Sequence, residues 1–247
     1  MSYADLFSGH AEQYAAARPR YPEALFDWLA EVAPRHQLAW DCATGNGQAA
    51  LGLATRFAHV IATDASEAQL AHAEPHPRIV YRQATAEASG LDTGSADVIT
   101  VAQALHWLDV PAFFDEVRRV LAPAGVLAVW SYAVPRITPA IDAEVGRLYR
   151  ETLQHHWADR RWLVDEGYAS IAMPFEALEA PQLELRERWT LAQFTAYLRT
   201  WSAVQRFLAD RGRDPVDAVE YVLRPFWGEP HEKRQVRWPL AIRAARS

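Results

Sequence analysis

The stretch Leu38-Ala-Trp-Asp-Cys-Ala-Thr-Gly-Asn-Gly-Gln48, completed by Val60-Ile-Ala-Thr-Asp64, limits what this chain can fold into more than any other part of it. An apolar run ends in an acid and two glycines follow two positions apart. A helical pattern then begins, and a second apolar run ends in a second acid. Glycine lacks a Cβ, so Gly45 and Gly47 allow a tight turn and a close approach of backbone to a ligand. In open sheets of this kind ligands sit off the carboxyl ends of the strands, where an acid on the second strand can accept hydrogen bonds from two ribose hydroxyls. Asp64 holds that place.

Gly45-Asn-Gly47-Gln-Ala-Ala50 also satisfies the loose dinucleotide pattern G-x-G-x-x-G/A, with Asp64 nineteen residues beyond Gly45. Asp41 argues for a different ligand, because it ends the first strand and points a carboxylate at the place of a pyrophosphate. An anion there is unfavourable beside phosphates and favourable beside the ammonium and sulfonium of S-adenosylmethionine (SAM). No second mononucleotide-binding half is apparent, which argues against a nicotinamide-dependent reductase.

Around this stretch strands and helices alternate. Pro22 opens a helix from Glu23 to Ala33, with Leu25, Phe26, Leu29 and Val32 on one face. Strands are predicted at 38–42, 59–63, 78–83, 96–102 and 126–130, with helices at 46–57, 66–73 and 111–121. Such alternation builds parallel βαβ units. The predicted fold is α/β, a Rossmann-like seven-stranded, mostly parallel sheet with helices on both faces and an inserted helical cap. Residues 1–133 form the cofactor-binding core with a helical N-terminal segment. Residues 134–180 and 191–232, too long for simple connections, form the cap. Residues 181–190 and 233–247 supply C-terminal strands, at 182–189 and 237–242, that complete the core sheet. The first insertion reads as one helix from Pro139 to about Trp162. Its adjacent His155 and His156 point about 100° apart on a helix, so no metal is assigned.

The 247 residues suit one domain of ordinary enzyme size with an elaboration. The single cysteine, Cys42, excludes a disulfide framework and fits a reducing compartment. No apolar run approaches the roughly 20 residues of a membrane span, and the N-terminus has no basic region before an apolar one. A cytoplasmic protein with no membrane partner is expected. A formal charge of −6 argues against a nucleic-acid partner. Lys233 is the only lysine among 25 basic residues, so any one arginine is a weak pointer to a site. The sequence is compatible with a monomer or a homodimer.

From Asp41 to Gly47 the chain resembles the class I SAM-dependent methyltransferases, whose first motif is an apolar strand followed by D/E-x-G-x-G-x-G. Ala43 stands where the family has its first glycine, a position that is strained if its φ is positive. The resemblance covers most of residues 1 to 135 and returns near 189 to 202 and 235 to 244. There it is similar to the methyltransferase type 11 branch that contains trans-aconitate methyltransferase. It implies SAM as cofactor, held by Asp41, Ala43, Thr44, Gly45, Asp64 and Ala65. After the third strand, Ala86 and Glu87 take the places the family uses for the adenine, a backbone amide and an acid. After the fourth, Gln103 and Ala104 border the methionine chain. His106 and Trp107, in an A-x-H-W segment shared with relatives, face the acceptor. Phe7, Tyr14, Arg18 and Pro19 match an F…A…Y…R-P-x-Y-P segment that folds over the cofactor. This places Tyr14 and Arg18 near the methionine end, where a guanidinium can pair with a carboxylate. A Leu-Arg-Thr-Trp-Ser run makes Arg199 and Trp201 the acceptor-side residues, with Arg161 a third. Plainer readings stand beside these: a docked N-terminal arm, a solvated loop Glu87, and a core His106 satisfied by a carbonyl.

The expected function is SAM-dependent methyl transfer to a small molecule, and the resemblance suggests O-methylation of a small carboxylic acid. The cofactor arrives activated, so the protein has to align donor and acceptor and exclude water. An ionised carboxylate needs no general base. An amine or phenol would, and His106 is the local candidate. The alternative is a SAM-binding protein without transferase activity, regulatory or partner-binding.

Overall fold

The computed structural model describes residues 18–247. Phe7 and Tyr14 lie outside the described residues. The strands, in chain order, are β1 (Leu38–Cys42), β2 (His59–Asp64), β3 (Ile79–Gln83), β4 (Ala96–Ala102), β5 (Leu121–Ser131), β6 (Glu176–Leu178), β7 (Glu184–Trp189), β8 (Arg234–Pro239) and β9 (Ala241–Arg246). The helices are α1 (Glu23–Val32), α2 (Gln48–Ala54), α3 (Glu67–Leu70), α4 (Val110–Val120), α5 (Pro139–Arg147), α6 (Trp162–Asp165), α7 (Leu191–Arg199), α8 (Ser202–Arg211) and α9 (Pro215–Trp227). They fall into two compact units. One holds residues 21–132, 162–183 and 240–247, and the other holds 133–161 and 184–239 with the described residues before 21.

The first unit is built on a seven-stranded sheet in the order β3-β2-β1-β4-β5-β9-β6. Its first five strands are parallel, β9 runs antiparallel to β5, and β6 runs antiparallel to β9. The central strands are covered on both faces, which is why β4 reads as the nearly continuous apolar run Ala-Asp-Val-Ile-Thr-Val-Ala. Phe113, Phe114, Val117 and Val120 of α4 pack with Trp40, Ile99, Val101, Leu127 and Val129. Asp109 caps that helix, accepting from the Ala112 amide at 3.3 Å. The Rossmann-like α/β expectation is met.

Residues 162–180 were expected in the cap but belong to the sheet unit. Leu163, Val164 and Tyr168 are buried in its core, and β6 forms its edge strand. The strand expected at 182–189 does not join the main sheet either. It is β7, and it pairs only with β8, from Glu184↔Pro239 to Trp189↔Arg234. The run read as one strand over 237–242 is two strands, broken at Pro239 and Leu240. Proline has no N–H to continue the ladder, and the Leu240 amide turns to the Leu183 carbonyl at 2.9 Å. From that point β9 enters the main sheet beside β5.

The second unit is helical around the β7–β8 ribbon. A two-stranded ribbon is marginal alone. Here Trp189 and Trp238 lie with ring centroids 5.6 and 5.2 Å from Tyr197 of α7. The Trp238 indole also donates to the Tyr197 hydroxyl at 3.0 Å. The single helix expected over 139–162 stops early. After Arg147 the chain makes a wide turn over Leu148–Thr152 in which the Leu153 amide bonds to the Leu148 carbonyl at 3.0 Å. The Tyr149 carbonyl, which a regular helix would give to Leu153, instead accepts from the Trp157 indole at 3.0 Å.

Among the described residues no helix is long and apolar enough to cross a membrane, and no group of three or more His, Cys, Asp or Glu could hold a metal ion.

Candidate functional site

The turn after β1 carries the first part of the site. Ala43 has φ 54°, Gly45 φ 59° and Gly47 φ 86°. The left-handed region disfavours a Cβ by roughly 1–2 kcal/mol, so Ala43 holds the family turn at the expense of local strain. Gly47 needs to be glycine twice over, since a Cβ there would come within 2.5 Å of the Tyr81 hydroxyl. The Thr44 amide donates to the Thr63 carbonyl at 2.9 Å, so the turn is laid across the end of β2.

Asp64, at the tip of β2, fastens that turn. One carboxylate oxygen accepts from the Gly45 amide at 2.8 Å and the other from the Ser66 amide at 2.8 Å. Burial raises its pKa, against the lowering effect of those two amides. Each oxygen retains acceptor capacity beyond its one amide.

Asp41 is fully buried at the end of β1. Its carboxylate does not stand open toward a ligand, as the sequence implied, but accepts from the Thr44 hydroxyl at 2.5 Å and the Thr100 hydroxyl at 2.7 Å. Burial pushes its pKa up to about 6, partly offset by those bonds, with Asp64 adding to the rise. Thr100 was missed. Its signal was a polar residue in an apolar strand, directly opposite Asp41 in the β1–β4 register. Among the described residues no arginine or lysine pairs with either acid.

The ends of β3 and β4 bring in the rest. The Gln83 amide group donates to the Ala65 carbonyl at 3.1 Å, tying the β3 end to the exposed Ala65. Ala86 is buried and Glu87 half-buried, the latter accepting from the Asp109 amide at 3.3 Å. Gln103 has φ 57°, its backbone amide bonds to the Trp130 carbonyl and its side-chain amide donates to the Tyr132 carbonyl at 2.8 Å. Its buried side-chain oxygen has no hydrogen-bond donor among the described residues. Beyond the buried Ala104 a short 3₁₀ turn, Leu105–Trp107, carries the buried His106 and the half-buried Trp107. Asp41, Ala43, Thr44, Gly45, Asp64, Ala65, Ala86, Glu87, Gln103, Ala104, His106 and Trp107 thus lie along the carboxyl edge of one sheet or in the turns that leave it.

Arg18, Arg199 and Trp201 are in the helical unit. Arg18 lies 5.8 Å from the Tyr197 ring centroid. Trp201 is buried against Tyr149, Trp157 and Tyr197 at centroid distances of 5.7–6.0 Å. Arg161 stacks 4.7 Å from the Trp157 ring and donates to the Tyr149 hydroxyl at 2.9 Å. The Arg199 guanidinium is engaged by Asp214 at 2.6 Å, Asp217 at 2.8 Å and Glu220 at 3.4 Å, acids at the start of α9 that tie it to the end of α7. Arg199→Ala is therefore predicted to lower the thermal midpoint by several degrees, a loss of roughly 1–2 kcal/mol after discounting for its partial exposure. SAM affinity should not change. A normal midpoint with a raised acceptor KM would return Arg199 to the acceptor side.

A family model described as "Methyltransferase domain" matches residues 40–129. A candidate methyltransferase of Dictyostelium discoideum is 32% identical over 223 residues, covering 89% of this chain and 85% of that protein. The solved structure of a candidate type II methyltransferase from Anaeromyxobacter dehalogenans matches with a TM-score of 0.87 at 48% identity, over 93% of this chain and 97% of that one. A Haemonchus contortus phosphoethanolamine N-methyltransferase, solved with phosphomonomethylethanolamine and S-adenosylhomocysteine, shares the fold at a TM-score of 0.54 and 17% identity, covering 100% of this chain and 60% of that one.

Proposed function

This chain belongs to the class I SAM-dependent methyltransferases, and from that premise we propose that it transfers a methyl group from SAM to a small molecule, O-methylating a small carboxylic acid. The observation that carries the reading is the pair of buried carboxylates, Asp41 and Asp64, at adjacent strand ends with no arginine or lysine against them among the described residues. Such a pair suits a cationic ligand that carries a ribose and disfavours a diphosphate.

The residues present fit SAM. Asp64 has acceptor capacity for ribose hydroxyls beyond its two backbone amides. Gln103 offers a buried oxygen in need of a donor, which an ammonium supplies. The Ala86 amide and Glu87 can take the edge of an adenine. When bound, the cofactor supplies an electrophilic methyl on a sulfonium. The chain's own work is to hold the sugar, orient the amino-acid end and keep water from the acceptor oxygen. An ionised carboxylate acceptor is already a nucleophile and needs no general base at the site edge.

Calorimetry with SAM and with S-adenosylhomocysteine tests the cofactor. Incubation with radiolabelled SAM and a panel of small mono-, di- and tricarboxylic acids tests the acceptor, with base-labile label in the product expected for an ester. Binding without label transfer would favour a SAM-binding protein with no transferase activity. Tight binding of a nicotinamide nucleotide, with no heat from SAM, would sink the reading.

A further inference from the structure

Helix α9 is anchored along one side only. Val216, Leu223 and Trp227 are buried, the Trp227 ring stacks on Phe194 of α7 at a centroid distance of 5.3 Å, and its indole donates to the Glu232 carbonyl at 3.1 Å. Opposite such a stripe a surface helix ordinarily carries charged and polar residues. This one carries Ala218, Tyr221, Val222, Pro225 and Phe226, all exposed, with Tyr221 73%, Val222 40% and Phe226 43% accessible. At about 100° per residue the five share one face roughly 140° wide, turned away from the buried stripe. Of the six exposed large apolar side chains among the described residues, three are on this face, so they are gathered rather than scattered. Pro225 adds apolar surface there at the expense of the helix, since it has no N–H for the Tyr221 carbonyl one turn back.

We propose that this face is where a second copy of the chain docks, giving a symmetric dimer in which the two α9 helices cross antiparallel. The charges beside the face select that occupant and that direction. Asp217 and Arg224 are two turns apart, so they line the same flank, one toward each end of it, and both are exposed. An antiparallel copy, related by a twofold axis near Tyr221 and Val222, brings Asp217 of each copy to within about half a turn of Arg224 of the other. A parallel copy sets acid against acid and arginine against arginine. Arg199 holds one oxygen of Asp217 at 2.8 Å, and Arg224 lies 3.7 Å from Glu220, so each group keeps capacity for a further partner. Exposed pairs of this kind fix register and orientation more than affinity. The apolar face amounts to roughly 400 Å², given the area that a tyrosine or phenylalanine offers. Two copies with their flanking charges bury on the order of 1,000 Å² in total, the lower bound for a specific interface, so the dimer is a reversible one in the micromolar range. The pairing uses no residue of the sheet edge and is independent of the methyl-transfer reading.

Sedimentation velocity of the full chain across the micromolar range tests this, with the mass expected to rise from that of a monomer to twice that value. Tyr221→Ser and Phe226→Ser, both at exposed positions, should melt as wild type does and raise the dimer Kd by at least about tenfold. Asp217→Arg alone and Arg224→Asp alone each oppose like charges and should be monomeric, whereas an equimolar mixture of the two restores opposite charges at both places and should dimerise as wild type does. Should Asp217→Arg lose its fold along with its bond to Arg199, the serine variants still decide. A monomer at every concentration overturns the proposal. So does a dimer that the serine variants leave intact, because its contact lies on another face. A monomer that instead binds phosphatidylcholine vesicles, and loses that binding in the serine variants, overturns it in favour of a lipid surface.

Discussion

Asp64→Ala is expected to weaken SAM binding by about 3 kcal/mol, roughly a hundredfold in Kd, the largest effect of any single substitution at this edge. Two losses coincide in that variant. The ribose hydroxyls lose their acceptor, and the Gly45 and Ser66 amides lose the carboxylate that holds the β1 turn against the end of β2. Asp64→Asn keeps one oxygen and should fall between alanine and wild type, because one amide can still be satisfied. The stability change should be smaller than the binding change. The burial that raises the Asp64 pKa shows that its charge is held at a cost, which alanine relieves while leaving two amides unpaired. Calorimetric titration of the three proteins with SAM, with thermal melts beside it, checks the order. An alanine variant with wild-type SAM affinity would remove Asp64 from the cofactor site.

The part of this site that was legible in the sequence is the part made by adjacent residues in a fixed local geometry. Gly45, Gly47 and the two strand-end acids announce a strand–turn–helix–strand unit because backbone conformation at those positions is set locally. What was not legible depends on contacts between distant segments. The Tyr168 hydroxyl meets His106 across 62 residues, and no local pattern marks that contact. Arg199 was picked out by the Leu-Arg-Thr-Trp-Ser run, and a run in one dimension does not show the acids that its guanidinium meets. Asp214, Asp217 and Glu220 lie beyond the next helix, at the start of α9, and meet it there. The five parallel strands of the sheet were read correctly, whereas its antiparallel edge was not: β6 fell in the expected cap and β7 pairs with β8 instead. Pro239 ends β8 and lets the chain change sheets, and a period-two pattern running through 237–242 cannot show that break.

Asp41→Asn is expected to act in opposite directions on stability and on cofactor binding. The folded carboxyl sits at about 6 against an ordinary value of 3.8, with burial as the main cause. An acid whose folded pKa is raised binds more protons folded than unfolded between those values, so stability falls as pH rises from about 4 to about 6 and stays lowered above. The raised value corresponds to a penalty of about 3 kcal/mol near neutral pH. Asparagine carries no charge to desolvate and can still meet the Thr44 and Thr100 hydroxyls, which rotate to suit it. The variant without cofactor should therefore be more stable than wild type at pH 8, by up to about 3 kcal/mol, and the difference should vanish near pH 4. Asp64 tilts the wild-type curve the same way but is common to both proteins. Glu116, held down at about 2 by Arg119 and Ser89, acts with the opposite sign only below its ordinary range of about 4.5. Urea unfolding of both proteins from pH 4 to 8 measures the difference, and parallel curves would mean that Asp41 is not carrying a strained charge. A cationic cofactor reverses the balance, since it favours the ionised carboxylate. SAM affinity of the wild type should strengthen as pH rises through about 6, with release of a fraction of a proton, and the asparagine variant should show neither. On the proposed reading, the charge that weakens the cofactor-free protein is the charge that favours a sulfonium over a diphosphate.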